Sequence, residues 1–265
     1  MSENINENAV DNTNEKKGTA SLGFALFTDA NFDWPRFRHY LKEDWQIEFK
    51  EDPKDGAVVF RCGDLMAACS LMPNPVPNGE AESCAKNNVL WGEGEKEVSK
   101  HKAHLLTAVM DRGQPLEQAL LLVKIASSAM KLKNAIGFYQ NPTVYEKDYY
   151  IKIAEMLKDG DLPTPLLVHA GMYITQGEKG SVLNGFTCGL RRFGKEEIEV
   201  VGTSAQPAEL FGFLVSIAEY VISEDVELKD GETIGFSDDE KLPIALSDAV
   251  SIDGESLKIG FKNLQ

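Results

Sequence analysis

The sequence predicts an α+β fold in which two ferredoxin-like-related halves pack helices on mostly antiparallel sheets. Residues 20–112 carry strand-like and helix-like segments in the order β-α-β-β-α-β, which is the order of the ferredoxin-like motif. Residues 113–265 continue with a second mixture of strands and helices. The composition, with 43% hydrophobic and 26% charged residues, is that of a chain that folds. We therefore expect an N-terminal half and a C-terminal half, each with its own core.

The N-terminal half is predicted to follow a disordered tail. Residues 1–19 are rich in Asn and Glu and have almost no large apolar side chain, so burial cannot offset the entropy of ordering them. A strand is expected at 22–27. Asp33 then caps a helix whose apolar positions, spaced by three and four, run to Trp45.

A hairpin, a short helix and a strand complete this half. Strands at 57–62 and 65–71 are separated by Gly63-Asp64, which is turn chemistry that suits a tight hairpin. A helix at 80–88 and a strand at 104–110 follow. The ferredoxin-like arrangement needs these elements in this order.

The C-terminal half begins with the most apolar helix of the chain. Pro115 stands early in it, where its missing N–H is tolerated, and apolar side chains cover most of the circumference up to residue 132. A strand is expected at 136–139. Residues 143–146 indicate a capping box that starts a helix ending near Gly160.

The remaining elements are predicted to be strands and one further helix, at 207–222. The strands are expected at 166–174, 182–190, 196–201, 242–246 and 257–261. Within the third strand, Glu197 and Glu199 alternate with apolar residues, which is typical of a strand with one solvated face. We therefore expect these two carboxylates, and Glu196 before them, to face water.

The net charge argues against two classes of partner. The chain has 27 basic and 42 acidic residues and a formal charge of −15. Nucleic acids and anionic membranes are bound through clustered Lys and Arg, so neither is expected as a partner. A basic protein or a cationic ligand is favoured, because complementary charge speeds encounter.

The targeting signals and the cysteine usage in the sequence predict a cytoplasmic protein. No cationic, apolar leader and no apolar run long enough to span a bilayer is present. The four cysteines lack the Cys-x-x-Cys spacing of zinc and redox sites; they are Cys62, Cys69, Cys84 and Cys188. We expect reduced thiols, mostly in the core, and predict no cofactor.

Acidic residues are concentrated in an acidic segment at 223–256. Residues 223–255 hold eleven acidic residues and two lysines, which is −9 of the total −15. One interpretation is a solvated region that aids solubility. The other is a docking surface for a basic protein, with Asp238, Asp239 and Glu240 as its binding residues.

A sequence motif in the C-terminal half resembles a known family. The motif is GFTCGL at 185–190 and FGKEEIEV at 193–200, continued by the helix at 206–222 and DGETIG at 230–235. These residues are similar to the bacterial proteins grouped as domain of unknown function 4261. The resemblance implies a bacterial cytosolic protein, and it implies no activity and no catalytic residues.

Histidines and Cys188 supply no catalytic or metal motif in the sequence. His101 and His104 would share one face of a helix, but the strand pattern that follows them favours a structural role. His39 and His169 are isolated, and no base for Cys188 is apparent in the sequence. We therefore predict no catalytic and no metal-binding residue.

Arg191 and Arg192 form the only pair of adjacent arginines. Paired guanidinium groups can hold a carboxylate or a phosphate, although they can also balance nearby acid. With His169, which lies in a predicted apolar strand, they are the candidate ligand-binding residues.

Three functions remain open at this point. The first is a non-enzymatic cytosolic binding protein, of the immunity or antitoxin kind, that engages a basic protein through the acidic segment. The second is a small-molecule-binding protein or an enzyme whose site is assembled from distant residues near Arg191 and His169. A concave pocket with converging polar groups would favour the second. The third is a passive assembly subunit, for which a large exposed apolar patch would be the sign.

Overall fold

A computed structural model describes residues 20–111, 114–177, 180–235 and 241–262. In these residues helices and strands form two open six-stranded sheets that are dominated by antiparallel pairing. The predicted α+β class is therefore confirmed. No helix in the described part of the chain is long and apolar enough to cross a membrane. The tail predicted at 1–19 lies outside the described residues.

The first sheet is entirely antiparallel and has the strand order β2-β3-β4-β1-β5-β6. The predicted hairpin is present in it as β2 and β3, joined at Gly63 with a positive φ of 60°. The strands are β1 (Ser21–Phe27), β2 (Ala57–Cys62), β3 (Leu65–Met72), β4 (Ala103–Asp111), β5 (Ala135–Gln140) and β6 (Thr143–Glu146).

The ferredoxin-like strand order is not confirmed. In that arrangement β1 would pair with β3, whereas here β4 lies between them and pairs with both. The connection from β3 to β4 contains only short helices, α2 (Glu80–Ala85) and α3 (Gly94–Val98). They pack against β5 and β6 instead of forming the long crossover helix that would carry β4 to the far edge.

Two helices lie on the other face of this sheet. They are α1 (Trp34–Trp45), which Asp33 caps as predicted, and α4 (Pro115–Met130). Helix α4 packs on β1, β4 and β5 and is almost wholly buried. Its first turn is closed by a capping box between Gln114 and Glu117, a pairing that satisfies two free backbone N–H groups.

The segment after β5 differs from its prediction. Residues 143–146 are the edge strand β6, and Glu146 alone caps the next helix by accepting a 2.7 Å hydrogen bond from the backbone N–H of Tyr149. Three short helices follow, α5 (Lys147–Ala154), α6 (Met156–Asp159) and α7 (Thr164–Leu167). The strand expected to start at 166 therefore starts at His169.

The second sheet has the strand order β10-β11-β12-β9-β8-β7. Its strands are β7 (His169–Gly177), β8 (Gly180–Cys188), β9 (Ile198–Thr203), β10 (Thr233–Ile234), β11 (Leu242–Asp248) and β12 (Glu255–Ile259). Strand β12 runs parallel to β9, while β7, β8 and β9 form an antiparallel meander. Helix α8 (Pro207–Ser223), close to its predicted bounds, covers one face.

A common local pattern links the two sheets. In each, a three-stranded antiparallel meander leads into a helix that begins with Gln-Pro-x-Glu and a capping box, at Gln114 and at Gln206. One continuous cluster of buried side chains runs through both sheets. Strands β5 and β6 follow residue 113 but belong to the first sheet, so the predicted division at residues 112 and 113 does not coincide with the division between the sheets.

Candidate functional site

A cavity of about 530 Å³, the outer cavity, lies on the face of the second sheet that α8 does not cover. Gly185 faces Leu210 and Leu214 of α8, so its neighbour Phe186 points to the opposite face. The walls come from β7, β8, a loop before β12, the segment after α2 and the turn between β5 and β6. The lining residues are Lys86, Asn87, Val89, Pro142, His169, Gly171, Met172, Tyr173, Phe186, Cys188, Val250, Ser251 and Ile252.

A smaller cavity of about 190 Å³, the inner cavity, shares three of these residues: Pro142, His169 and Cys188. Its other lining residues are Gln140, Asn141, Tyr145, Leu166, Leu167, Gly189 and Arg192. We refer to the two cavities together as the cleft. Both cavities combine residues of β7 and β8 with residues of the hairpin formed by β5 and β6, and the outer cavity adds residues that follow α2. The cleft therefore exists only when the two sheets are assembled.

His169 lies where the two cavities meet. It is the first residue of β7 and is only 7% exposed. Its ring packs edge-on against Phe186, with 6.0 Å between the ring centroids. Among the described residues its buried Nε2 has no hydrogen-bond partner. Burial lowers the pKa of His169 to about 4. The imidazole is therefore neutral at physiological pH and has an unused hydrogen-bonding atom.

Cys188 pairs with His169 across β7 and β8. Burial, followed by the charge of Glu197, raises the pKa of its thiol to about 11 against the opposing effect of Arg191 and Arg192. A neutral thiol beside a neutral imidazole lacks the thiolate of a nucleophilic cysteine. Cys188 is half-buried, as are two of the other thiols, so the expectation that most cysteines are in the core is wrong.

Arg191 and Arg192 occupy one 3-10 turn between β8 and β9 but point in different directions. The exposed guanidinium of Arg191 donates to the backbone carbonyls of Asp253 (2.8 Å) and Glu255 (2.6 Å), which ties down the loop before β12. The candidate pair is therefore split. Only Arg192 reaches the cleft.

Arg192 is half-buried at the wall of the inner cavity. Its Nη2 donates a hydrogen bond to the backbone carbonyl of Leu167, and the guanidinium lies 5.0 Å from the ring centroid of Phe193. Its Nε is buried and has no partner among the described residues. Burial lowers the pKa of Arg192, while Tyr145 and Tyr150 oppose this shift.

Glu197 is buried, which contradicts its predicted exposure. Its carboxylate accepts hydrogen bonds from Thr187 Oγ1 (2.8 Å) and from the backbone N–H groups of Gly189 (2.7 Å) and Arg191 (3.2 Å). These bonds fix the turn that presents Arg192.

Glu199 is also fully buried and holds another wall of the cleft. Burial alone would raise its pKa, but the hydrogen bonds it accepts outweigh that effect and lower the pKa to about 2. The donors are Lys258 Nζ (2.7 Å), the backbone N–H groups of Val250 (3.0 Å) and Ser251 (2.6 Å), and Ser256 Oγ (2.8 Å). Of the three glutamates predicted to be solvated, Glu196 alone is exposed.

The charge in the cleft differs from that of the whole chain. None of the described residues that line either cavity is acidic, and Lys86 and Arg192 are the two cations there. Lys86 pairs with Glu95 at 2.9 Å. In a chain with a net charge of −15, the described lining of the cleft contains two cations and no carboxylate.

The histidine pair His101 and His104 does not line the cleft. Asp238, Asp239 and Glu240 lie outside the described residues. His101 Nε2 accepts a hydrogen bond from the backbone N–H of Val76 (2.9 Å), and His104 Nδ1 lies 2.9 Å from the carbonyl of Asn74. Within the described ranges no group of three or more His, Cys, Asp or Glu side chains could hold a metal ion.

The comparisons with known proteins agree with the motif. Residues 186–260 match the family model described as "Domain of unknown function (DUF4261)", so the predicted resemblance is confirmed for this C-terminal part of the chain. No curated protein and no solved structure matches. The matched part includes Cys188, Arg192 and both buried glutamates, whereas His169 precedes it.

Proposed function

We propose that the protein binds a small molecule in the cleft between its two sheets. The observation that carries this proposal is the buried, unpartnered Nε2 of His169 beside the outer cavity. Buried polar atoms are nearly always hydrogen-bonded in folded proteins, so a ligand is the natural partner for this atom. A cavity of about 530 Å³ is also within the size range of small-molecule sites.

The walls of the cleft support a preformed site. Glu199 fixes the backbone at Val250 and Ser251, Arg191 fixes it at Asp253, and Ser251 Oγ lies 2.9 Å from the hydroxyl of Tyr173. A site whose walls are already hydrogen-bonded needs little ordering when a ligand arrives. The lining combines apolar side chains with a few polar groups, as ligand pockets usually do.

A blocking variant tests the proposal. Val250 is 63% exposed at the mouth of the outer cavity, and Val59 is 51% exposed on β2. We expect Val250→Trp to abolish binding of compounds selected from a fragment library by thermal shift, because the indole occupies the mouth. Val59→Trp is the matched control and should bind them as the wild type does. Equal binding by both variants would place the compounds elsewhere and contradict the proposal.

A second candidate function is engagement of a basic protein through the acidic segment. Every described acidic residue of this segment is exposed, namely Glu224, Asp225, Glu227, Asp230, Glu232, Asp248, Asp253 and Glu255. Asp225 forms an ion pair with Lys195 at 2.5 Å, but the other exposed carboxylates leave a strong negative field that can steer a cationic partner. An immunity or antitoxin-like inhibitor would use such a surface.

This candidate is tested by recovering the tagged protein from its host at low and moderate salt. A basic partner should wash off as salt rises, because the attraction is screened. Joint substitution D238N, D239N and E240Q should weaken its capture, whereas D64N, D159N and D161N together should not. A partner held equally by both triple variants would exclude these three residues as its binding site. Both candidates are proposed for a bacterial cytoplasmic protein, a setting that the free thiols favour.

A further inference from the structure

We infer that the ligand of the cleft carries a carboxylate or phosphate group, which Arg192 holds in the inner cavity while an apolar part of the ligand occupies the outer cavity. This inference rests on the proposed function and adds the chemical class of the ligand. It commits to an anion, although the charge of the whole chain favours cations.

Arg192 supplies the first argument. A guanidinium has five N–H donors and no acceptor. In Arg192 the Nη2 group donates to the Leu167 carbonyl, and the Nε remains without a partner among the described residues. No described carboxylate forms an ion pair with Arg192. Glu197 is near enough to influence it but is already bound by Thr187 and backbone N–H groups. A partly buried cation with unused donors is stabilised by an anion.

The surroundings of Arg192 supply the second argument. The inner cavity adds the side-chain amides of Gln140 and Asn141, the hydroxyl of Tyr145 and the neutral imidazole of His169. Each of these groups can donate a hydrogen bond to an oxyanion. No described lining residue is acidic. The buried carboxylate of Glu197, whose charge acts on Arg192, already accepts hydrogen bonds from Thr187 and two backbone N–H groups.

The outer cavity indicates what accompanies the anion. Met172, Tyr173, Phe186 and Val250 give it a mainly apolar wall next to His169. Aromatic rings in such walls pack well against flat apolar groups. A ligand with an aromatic or aliphatic body and one terminal anion therefore fits both cavities at once.

The test uses four probes of similar size on the full-length protein: benzoate, phenyl phosphate, benzamide and benzylammonium. Binding is followed by NMR through the imidazole C–H signals of His169, assigned with His169→Gln. Benzoate or phenyl phosphate should bind about tenfold more tightly than benzamide, because a charge-assisted hydrogen bond replaces a neutral one. The better of the two anions separates a carboxylate ligand from a phosphate ligand. Benzylammonium should not bind.

Two substitutions test whether Arg192 causes the preference for anionic probes. Arg192→Gln should bring benzoate and phenyl phosphate down to the affinity of benzamide. Arg36→Gln is the matched control: this exposed arginine lines a separate cavity beside Asp29 and Asn134, and its removal changes the net charge equally but should leave the preference intact. If Arg192→Gln does not fold, the comparison of probes on the wild type still decides the anionic class. Arg192→Lys then tests the role of Arg192, because it keeps the charge but loses the two-pronged geometry and should weaken binding of both anions.

The outcomes separate the two proposals. If benzamide or benzylammonium binds as tightly as the anions, or if no probe binds while library compounds do, the anionic class is wrong and small-molecule binding stands. If neither the probes nor any library compound moves the His169 signals, the proposed function fails as well. An anion preference that survives Arg192→Gln would overturn the role of Arg192.

Discussion

His169 and Cys188 face each other directly across β7 and β8, and both line the two cavities of the cleft. Burial acts on the two groups in opposite directions, lowering the pKa of the imidazole and raising that of the thiol. The pair is therefore neutral on both sides. Such a pair is suited to hydrogen-bonding a ligand and unsuited to nucleophilic attack.

The neutral imidazole makes stability depend on pH. Because the pKa of His169 is about 4 in the folded protein and 6.5 as the ordinary value, the unfolded chain binds more protons between these two pH values. Its unfolding free energy should therefore fall as pH drops from 6.5 towards 4. Between pH 7 and pH 5 the loss from this residue is about 2 kcal/mol.

Urea denaturation at both pH values measures this effect. His169→Gln should lose about 2 kcal/mol less than the wild type between pH 7 and pH 5. His39→Gln, which removes an exposed histidine of α1, should lose as much as the wild type. The same pH dependence in all three proteins would show that His169 titrates normally.

The thiol of Cys188 should be unreactive near neutral pH. With a pKa of about 11, only about a thousandth of it is thiolate at pH 8, and the thiolate is the reacting form. Its alkylation by iodoacetamide, measured on the peptide by mass spectrometry, should accelerate about tenfold for each pH unit from 8 to 10. A rate that levels off near pH 9 in the folded protein, as expected after unfolding in urea, would contradict the shift.

Gly171 allows Phe186 to lie over the strand beside it. A Cβ at position 171 would come within 2.3 Å of the Phe186 ring, whereas one at Gly212 in α8 would meet nothing within 4 Å. Gly171→Ala should therefore destabilise the protein by about 1–3 kcal/mol through overpacking and displace a wall of the cleft. Gly212→Ala should stabilise it by up to about 1 kcal/mol through helix propensity. Thermal unfolding measures the change in melting temperature of each variant. Changes of equal sign in the two variants would contradict the close packing of Phe186 on Gly171.

Local patterns were sufficient for much of the fold. The Asp33 cap, the Gly63 turn and the helix α8 follow from neighbouring residues, and the structure has them where the sequence predicts. Residues 143–146 show the limit: Thr-x-x-Glu is compatible with a capping box and with a strand. These residues form a strand because they pair with β5. The local sequence does not show that this pairing takes place.

The site depended on relations that the sequence does not show. Glu197 and Glu199 alternate with apolar residues in the same way on a solvated face and on a face covered by other chain segments. The loop before β12 and the side chains of β12, which pairs with β9 in parallel, cover Glu199. The turn that follows β8 covers Glu197. Pro142, in the turn between β5 and β6, and Lys86, which follows α2, also reach the cleft although they are distant in sequence from β7 and β8. Of the predicted ligand-binding residues, the structure brings His169 and Arg192 together and places Arg191 outside.

Glu199 should be the strongest single contributor among the groups that hold the cleft wall. Its fully buried carboxylate forms an ion pair with Lys258 Nζ at 2.7 Å and accepts hydrogen bonds from the backbone N–H groups of Val250 and Ser251. Glu199→Gln leaves the mostly buried Lys258 without a counter-charge. We expect a loss of about 2–4 kcal/mol in unfolding free energy at pH 7 and faster hydrogen exchange at the amides of Val250 and Ser251.

The pH dependence distinguishes this ion pair from simple packing. The folded pKa of Glu199 is about 2, below its ordinary value of 4.5, so the carboxylate contributes fully above pH 4.5 and its contribution disappears as pH falls towards 2. The difference between the wild type and Glu199→Gln should therefore shrink by about 2 kcal/mol from pH 7 to pH 3. Glu196→Gln, at the exposed neighbour, should change little at either pH. A constant difference between the wild type and Glu199→Gln would mean that the side chain acts through its shape, and that its charge does not hold the wall of the cleft.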